Sequence, residues 1–204
     1  MVVDLKIFSD YICPFCYIGK GLIDRLKEEF EIRDEWVNIE IHPDTPAEGV
    51  LLTEKFNVPD ADALFEGVRR AGAAYGIEFG KADKLFNSRL AIEASEFARD
   101  HGKFEAYHQL VFQANFTAAR DISDVNVLLD LAEQIGLDRA KLQTALAERH
   151  YAQRVEAAQD QAAQFGVSGT PTFIVNNKYR VVGAQPLDAF RDMLKRIEEE
   201  AVRE

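Results

Sequence analysis

Alternation of apolar and polar residues, the pattern of a half-buried β-strand, occurs only near the two ends of this 204-residue chain. At the amino-terminal end it predicts a strand at about residues 2–8 and a second strand at residues 37–42. Between them, apolar residues from Ile18 to Phe30 recur at steps of three and four, which predicts an amphipathic helix with Pro14 at its first position. The first 42 residues therefore predict two parallel strands joined by a helix.

The middle of the chain follows helical spacing instead. Residues 43–49 are rich in proline and turn formers, and strand patterns are absent from about residue 60 to residue 165. The spacing predicts five helices, at Leu64–Tyr75, Leu90–Ala98, Phe104–Val111, Leu128–Ile135 and Val155–Phe165.

Strand patterns return after Gly166. Residues 171–175 and 179–182 predict a hairpin whose turn, Asn176 and Asn177, tolerates positive φ, and Pro186 begins a final amphipathic helix. The predicted order is βαβ, a helical block, and then ββα.

We therefore predict an α/β fold with an insertion. Residues 1–42 and 166–204 form one domain, and residues 43–165 form a connecting segment and an all-helical insertion domain.

The charge balance excludes several classes of partner. Lys and Arg total 24 against 35 Asp and Glu, a net charge of −11, which repels nucleic acid and anionic lipid surfaces. No run approaches the roughly 18 apolar residues that a membrane span needs. The first residues, Met1 to Lys6, have neither a basic segment nor an uninterrupted apolar one. We expect a cytoplasmic protein that binds neither nucleic acid nor membrane.

The two cysteines stand three residues apart, as Cys13-Pro14-Phe15-Cys16, where the first strand meets the first helix. On one helical turn they face the same way, close enough that a small structural adjustment allows a disulfide bond between them. The positive end of the helix dipole lowers the pKa of the first cysteine. We therefore expect Cys13 to be the nucleophile and Cys16 the less exposed thiol that resolves a mixed disulfide.

Two other interpretations of this pair remain open at this stage. The cysteines can be small core residues, or they can supply half of a structural zinc site. Zinc needs two further ligands, and the chain has no third cysteine and no histidines in metal-type spacing with the pair; its histidines are His42, His101, His108 and His150. We predict no metal site.

Topology brings further residues to the rim of the sheet where Cys13 lies. If the returning strand runs antiparallel to the first, Thr170 and Pro171 lie beside the dithiol, and the helical insertion covers it. His42 is expected at the same rim, at the end of the second strand, either as a functional group or as an ordinary surface histidine. Asp10 either accepts a proton or anchors the turn through its side chain.

The aromatic residues near the dithiol allow two interpretations. Phe15 and Tyr17 either line a substrate groove or pack under the insertion, and Pro14 lies beside them. We expect Pro14 and Phe15 to contact substrate.

The chain resembles the thioredoxin superfamily, specifically DsbA-like proteins with a helical insertion, and within them the FrnE-type dithiol oxidoreductases. Four segments carry the resemblance: Asp10–Gly19, Pro46–Gly49, Phe86–Ser88 with Ala91, and Gly166–Phe173. The resemblance implies a thioredoxin-like fold in which Pro171 is a cis-proline facing the dithiol. It also implies that Thr170 presents its backbone to the substrate.

The sequence also departs from relatives of this type. Exported DsbA-type oxidants often carry histidine between the cysteines, whereas this chain has Phe15, and many relatives have histidine where this chain has Ile92. 2-Hydroxychromene-2-carboxylate isomerases and kappa-class glutathione transferases resemble it at Asn87 and Ser88 but typically have serine at the position of Cys13.

The leading functional hypothesis is a cytoplasmic protein disulfide oxidoreductase whose dithiol exchanges with protein, peptide or small-molecule thiols and disulfides. It needs no cofactor beyond the Cys13–Cys16 pair. Glutathione is a candidate co-substrate. The sequence is also compatible with an oligomer. The alternative is a glutathione-dependent isomerase or transferase in which Cys13 or nearby helix amides activate the glutathione sulfur and Asn87 and Ser88 help to hold the peptide. A third hypothesis is a non-catalytic peptide-binding protein that uses the aromatic rim around Phe15.

Overall fold

The computed structural model describes residues 2–203. In chain order, the elements are β1 (Val3–Ser9), α1 (Pro14–Leu26), β2 (Ile32–Asn38), β3 (Val50–Leu51), α2 (Leu52–Phe56), α3 (Ala61–Ala73), β4 (Lys84–Leu85), α4 (Arg89–Asp100), α5 (Phe104–Phe112), a π-helical turn (Gln113–Thr117), α6 (Val125–Gln134), α7 (Arg139–Ala147), α8 (Ala152–Gln164), β5 (Thr172–Val175), β6 (Tyr179–Val182) and α9 (Leu187–Arg203).

The central sheet has the strand order β2-β1-β5-β6. β1 pairs in parallel with β2 and antiparallel with β5, and β6 completes an antiparallel hairpin with β5. Phe8 of β1 lies opposite Thr172 of β5, so the start of β5 reaches the end of β1 where the dithiol follows. The predicted α/β class and thioredoxin-like order of elements are confirmed.

The predicted position of the second strand was wrong by several residues. β2 begins at Ile32 and ends at Asn38, so His42 lies beyond the strand rather than at its end. Arg33 and Glu35 point outward on this edge strand and pair with Asp4 and Lys6 of β1. The strand forms by pairing with β1 along its whole length, and the ion pairs accommodate its charged residues. Those charged residues interrupt the apolar alternation that would mark the strand in the sequence.

The carboxyl-terminal hairpin and helix are confirmed. Asn176 and Asn177 adopt φ values of 50° and 55°, as a tight hairpin turn requires. The side chain of Asn176 accepts a hydrogen bond from the backbone N–H of Asp4, which ties the turn to β1. On α9, Phe190 and Leu194 are buried in one core with Phe173 of β5.

The insertion is not entirely helical, which corrects the prediction. β3 and β4 form a short antiparallel pair, with Val50 opposite Leu85. Each strand has two residues, too few to show a period. The five predicted helices correspond to α3, α4, α5, α6 and α8, whereas α2 and α7 were not predicted.

Helix α1 joins the two parts of the structure. Leu22 and Ile23 pack with the sheet and α9, and Tyr17 belongs to the core formed with the insertion. The Tyr17 ring stacks on Phe112 at a centroid distance of 5.3 Å, so this residue packs under the insertion rather than lining a groove. Within residues 2–203, no helix combines the length and the apolar character needed to cross a membrane.

Candidate active site

Cys13 and Cys16 lie where β1 gives way to α1. Cys13 has an extended backbone (φ −94°, ψ 111°) and is the residue that precedes the helix, and Pro14 takes the first helical position as predicted. The backbone N–H of Cys16 donates to the carbonyl of Cys13 at 3.0 Å, which closes the first turn. Both cysteines are free thiols; Cys13 is 6% exposed and Cys16 is fully buried.

The two thiols differ in acidity. The pKa of Cys13 is lowered, first because the Cys16 thiol donates a hydrogen bond to its sulfur, with help from the side chain of Thr170 and the N–H of Cys16. The pKa of Cys16 is raised well above the usual value, mainly because burial disfavours its thiolate. This asymmetry agrees with Cys13 as the attacking thiol, an assignment that stays a prediction.

Thr170 and Pro171 lie against the dithiol. The Thr170–Pro171 peptide bond is cis, and the Cys13 thiol donates a hydrogen bond to the Thr170 carbonyl at 3.3 Å. The carbonyl of Pro171 accepts from the N–H of Gly183 at 2.7 Å, which holds this segment to the strand end of β6. The approach of the returning strand to Cys13, expected from topology, is present.

Gly19 makes this close approach feasible, and the sequence reasoning had not singled out that role. A Cβ atom at Gly19 would lie 3.2 Å from the Phe173 ring and 3.3 Å from the Pro171 ring. A side chain on this face of α1 would therefore push away the strand that carries Thr170. The glycine lies inside one of the resembling segments, and that was the signal available in the sequence.

Two buried hydroxyl groups flank the sulfur atoms. The Oγ atoms of Ser9 and Thr170 have no hydrogen-bond partner of good geometry among residues 2–203. The Thr170 hydroxyl lowers the pKa of Cys13, and the Ser9 hydroxyl lowers that of Cys16. Such hydroxyls can turn toward whichever sulfur carries the negative charge, because a hydroxyl hydrogen rotates freely.

Asp10 lies beneath the dithiol and is fully buried. Its backbone N–H approaches the Cys16 sulfur at 3.5 Å. Its carboxylate accepts hydrogen bonds from the N–H of Ile12 at 3.3 Å and from the N–H of Ile41 at 2.8 Å. Asp10 therefore anchors the turn, as one of the two interpretations proposed, and it also holds the chain that follows β2.

The carboxyl group of Asp10 has an unusual acidity. Burial raises its pKa from 3.8 to about 7, against the opposing effect of the hydrogen bonds from Ile41, Ser88 and Ile12. A group with this pKa changes charge near neutral pH.

His42 and Phe15 line a hollow of about 250 Å³ that opens beside Cys13. Pro14 contributes to the same wall. Phe15 is 47% exposed, in contrast to the packed Tyr17. The pKa of His42 is lowered, because burial and the nearby Lys55 disfavour the imidazolium. Three predicted site residues thus meet at one hollow next to the thiol.

Asn87 is used within the fold. Its side-chain nitrogen donates to the carbonyl of Thr45 at 2.7 Å, and its oxygen accepts from the N–H of Arg89 at 2.9 Å. This amide joins the turn after β2 to the start of α4. Both polar ends of this amide are thus used within the fold.

A larger hollow lies elsewhere. It measures about 500 Å³ between β2 and α8, and Arg99, Arg154 and Gln161 are among the residues that line it, with neither cysteine among them. Chemistry, rather than size, identifies the site at Cys13. In the part of the chain that the structure describes, no group of three or more His, Cys, Asp or Glu side chains is arranged to hold a metal ion.

Comparison with known proteins agrees with this geometry. The sequence model of the family described as the DsbA-like thioredoxin domain matches residues 4–195 of this chain. The uncharacterised protein YwbO of Bacillus subtilis (strain 168) is 30% identical over 195 residues, covering 93% of this chain and 94% of YwbO.

Solved structures show the same architecture. The crystal structure of a probable DsbA oxidoreductase from Streptomyces coelicolor superposes with a TM-score of 0.89 at 27% identity, covering 97% of this chain and 91% of that one. A 2-hydroxychromene-2-carboxylate isomerase superposes with a TM-score of 0.79 at 18% identity, covering 100% of this chain and 98% of that one, which is a likeness of fold. The chain belongs to the DsbA-like thioredoxin family of oxidoreductases.

Proposed function

We propose that this protein exchanges its Cys13–Cys16 dithiol with disulfides of proteins and peptides. The observation that carries the proposal is the placement of two free thiols on the first turn of α1, with Thr170 at 3.3 Å from the Cys13 sulfur and Cys16 fully buried behind it. The lowered pKa of Cys13 and the raised pKa of Cys16 agree with this placement. An acidic thiol at the surface side and a less acidic one behind it are the two groups that a two-step exchange needs.

In the first step, the Cys13 thiolate attacks one sulfur of a substrate disulfide. The bond between the two substrate sulfurs breaks, and the leaving thiolate takes a proton from water. The protein and one half of the substrate are then joined by a mixed disulfide through Cys13.

In the second step, Cys16 loses its proton and attacks the Cys13 sulfur. The mixed disulfide breaks, the second substrate thiol leaves, and a Cys13–Cys16 disulfide forms. Two electrons have moved from the protein to the substrate. A small thiol or a second dithiol protein must then reduce the pair, and in the opposite direction the same steps oxidise a substrate dithiol.

Thr170 and Pro171 complete the site. Pro171 has no backbone N–H to compete for the sulfur, and Thr170 supplies a carbonyl beside Cys13 and a hydroxyl that lowers the pKa of this thiol. We assign the cytoplasm as the compartment, where a pool of small thiols would return the pair to the reduced state.

The alternative function is a glutathione-dependent isomerase or transferase. We consider it because the 2-hydroxychromene-2-carboxylate isomerase has a similar fold. Two observations favour exchange over it. Cys16 stabilises the Cys13 thiolate directly, and Asn87 is occupied by Thr45 and Arg89 rather than turned toward a tripeptide.

Trapping of mixed disulfides tests the proposal. Cys16→Ser keeps the nucleophile but cannot resolve the mixed disulfide, so covalent adducts with a disulfide-bearing peptide should accumulate at Cys13. Cys13→Ser should accumulate almost none, and the variant without either thiol sets the background. Mass spectrometry of the intact variants under non-reducing conditions measures the adducts.

Other results would contradict the assignment. Equal trapping in the two single variants, or trapping only in Cys13→Ser, would overturn the roles of the thiols. If Cys16→Ser instead retains full turnover of a glutathione-dependent electrophile, the isomerase or transferase function is correct. Peptide binding that is unchanged in the variant without thiols, together with absent exchange, would indicate a binding protein.

A further inference from the structure

Ser9 is the last residue of β1, and its side chain lies on the face of the sheet that packs against helix α1. Side chains alternate along a strand, so Ser9 shares its face with Leu5 and Ile7. Both of those residues are buried in one core with Leu22 and Ile23 of α1. A serine therefore occupies a position at which the same strand otherwise places large apolar side chains.

The sulfur of Cys16 lies close to this serine. It is 3.5 Å from the backbone nitrogen of Asp10, and that nitrogen is bonded directly to the carbonyl carbon of Ser9. The side chain of Ser9 begins at the next atom of the backbone, and its hydroxyl lowers the pKa of Cys16. One short segment therefore brings two donors to the Cys16 sulfur, the N–H of Asp10 and the hydroxyl of Ser9.

The Ser9 hydroxyl is fully buried, yet no other group within residues 2–203 forms a hydrogen bond of good geometry with it. Buried polar groups without partners are rare, because leaving one unpaired costs stability. Asn38 of β2 is in register with Ser9, and its side-chain oxygen also lacks a partner in this part of the chain. The two atoms are thus not bonded to each other, and the serine does not serve to join β1 to β2.

A hydroxyl without a fixed partner gains most when a charge forms beside it. In the reduced protein Cys16 is a neutral thiol, because burial raises its pKa well above the usual value. The second step of exchange requires its thiolate, and a hydrogen bond to a charged group is stronger than one between neutral groups. The Cys13 thiolate is stabilised by the thiol of Cys16 itself, so the Cys16 thiolate needs donors of its own.

We propose that Ser9 is a catalytic residue of the second step, in which its hydroxyl donates a hydrogen bond to the Cys16 thiolate beside the N–H of Asp10. The thiolate attacks the Cys13 sulfur, the bond from that sulfur to the substrate breaks, and the departing substrate thiolate takes up the proton that Cys16 released. Ser9 keeps its own proton. In the reverse direction, the same hydroxyl stabilises Cys16 as the leaving thiolate. The inference rests on the proposed exchange function and adds a residue to its chemistry.

Ser9→Ala tests the proposal, because it removes the hydroxyl and little volume. The reduced protein is mixed with a short peptide disulfide, in enough excess that the first step is the faster one, and samples are stopped with acid. Intact mass resolves the dithiol, the mixed disulfide and the Cys13–Cys16 disulfide, which gives a rate constant for each step. Ser9→Ala should form the mixed disulfide at the original rate and resolve it about tenfold more slowly, the factor that one hydrogen bond to a charged group is worth.

Ser95→Ala is the matched control. Ser95 is also fully buried, but its hydroxyl donates to the carbonyl of Ile92 at 2.7 Å and accepts from the side chain of Asn38 at 3.2 Å. Ser95→Ala should lower the urea midpoint of unfolding and leave the rate of resolution unchanged. Ser9→Ala removes an unpaired buried group, so its urea midpoint should equal or exceed that of the unaltered protein while its resolution slows.

The outcomes separate this proposal from the one on which it rests. An unchanged rate of resolution in Ser9→Ala, with a loss of stability like that of Ser95→Ala, would overturn the catalytic role and show that the hydroxyl bonds within the fold. Equal slowing of both steps would also overturn it, because the hydroxyl would then not act on Cys16 in particular. Either result leaves the exchange function intact. If the unaltered protein forms neither the mixed disulfide nor the Cys13–Cys16 disulfide, both proposals are wrong.

Discussion

Two fully buried carboxyl groups, Asp10 beneath the dithiol and Glu93 in the insertion, are held in opposite ways. Glu93 forms ion pairs with Arg89 at 3.0 Å and with Arg149 at 2.7 Å. Asp10 accepts hydrogen bonds from backbone N–H groups, and no ion pair to it is present within residues 2–203.

The comparison separates two roles of a buried carboxyl group. Glu93 carries a structural charge, whereas Asp10 changes its charge near neutral pH. The Glu93 cluster joins helices, since Arg89 at the start of α4 also contacts Glu40 and the carbonyl of Ala152 in α8. Because Arg89 and Arg149 compensate it, the buried charge of Glu93 holds the helices of the insertion together. No such ion pair fixes the charge of Asp10 within residues 2–203, so its protonation state changes with pH next to the thiols.

The largest expected effect concerns Asp10 and the pH dependence of stability. Because its folded pKa, about 7, lies above the unfolded value of 3.8, the folded state binds this proton more tightly. The resulting stabilisation is fully present below about pH 4 and is lost as the pH rises through 7. At about 1.4 kcal/mol per pKa unit, the change amounts to about 4 kcal/mol in the free energy of unfolding.

Asp10→Asn removes the titrating group and should remove this slope. Urea denaturation of both proteins between pH 4 and pH 8 measures it. The difference in stability between the variant and the unaltered protein should shift in favour of the variant as the pH rises. A parallel pH dependence in the two proteins would show that Asp10 titrates as an ordinary carboxyl group.

A smaller effect is expected at Glu93. Glu93→Gln leaves Arg89 and Arg149 facing a neutral amide, and breaking a buried ion pair costs about 3 kcal/mol when the remaining cations are partly exposed. Asp130→Asn is the matched control, because Asp130 also pairs with two arginines, Arg120 and Arg139, but its side chain is 46% exposed. Denaturation at pH 7 should show a large loss for the first variant and a small one for the second.

Two results would contradict the comparison between the carboxyl groups. Equal losses in Glu93→Gln and Asp130→Asn would mean that burial adds nothing to the cluster. A changed rate of disulfide exchange in folded Glu93→Gln would mean that the cluster acts on the active site rather than on the insertion alone.

The sequence was sufficient where local chemistry decides the structure. Pro14 at the helix start, Asn176 and Asn177 in the hairpin turn, and the dithiol at the end of β1 each follow from residue type and position. Helical periodicity likewise predicted most of the insertion. These features depend on neighbours within a few residues.

The remaining features depend on contacts between distant residues. The charged strand β2 forms because it pairs along its whole length with β1 and buries Trp36 and Val37 at its end. Asp10 is bound by Ile41, 31 positions away, which no local pattern indicates. The hollow beside Cys13 requires α2, a helix of five residues that is too short to show a helical period.

The smallest expected effect compares two glycines in helix interiors. In an exposed helix, replacement of Gly by Ala stabilises by up to about 1 kcal/mol. Gly67 of α3 has open space where a Cβ would be, so Gly67→Ala should gain this amount. Gly19 of α1 has the rings of Phe173 and Pro171 within 3.3 Å of that position, so the gain should be cancelled or reversed by overpacking, which costs about 1–3 kcal/mol.

The two substitutions should also differ in activity. Displacement of Pro171 by a methyl group at Gly19 moves the adjacent Thr170, whose side chain lowers the pKa of Cys13, away from the Cys13 sulfur, so disulfide exchange should slow in Gly19→Ala and remain unchanged in Gly67→Ala. Urea denaturation and the rate of peptide disulfide reduction measure both effects. If Gly19→Ala is as stabilising as Gly67→Ala and exchanges at the original rate, then α1 and β5 are not packed closely enough for this glycine to position the site.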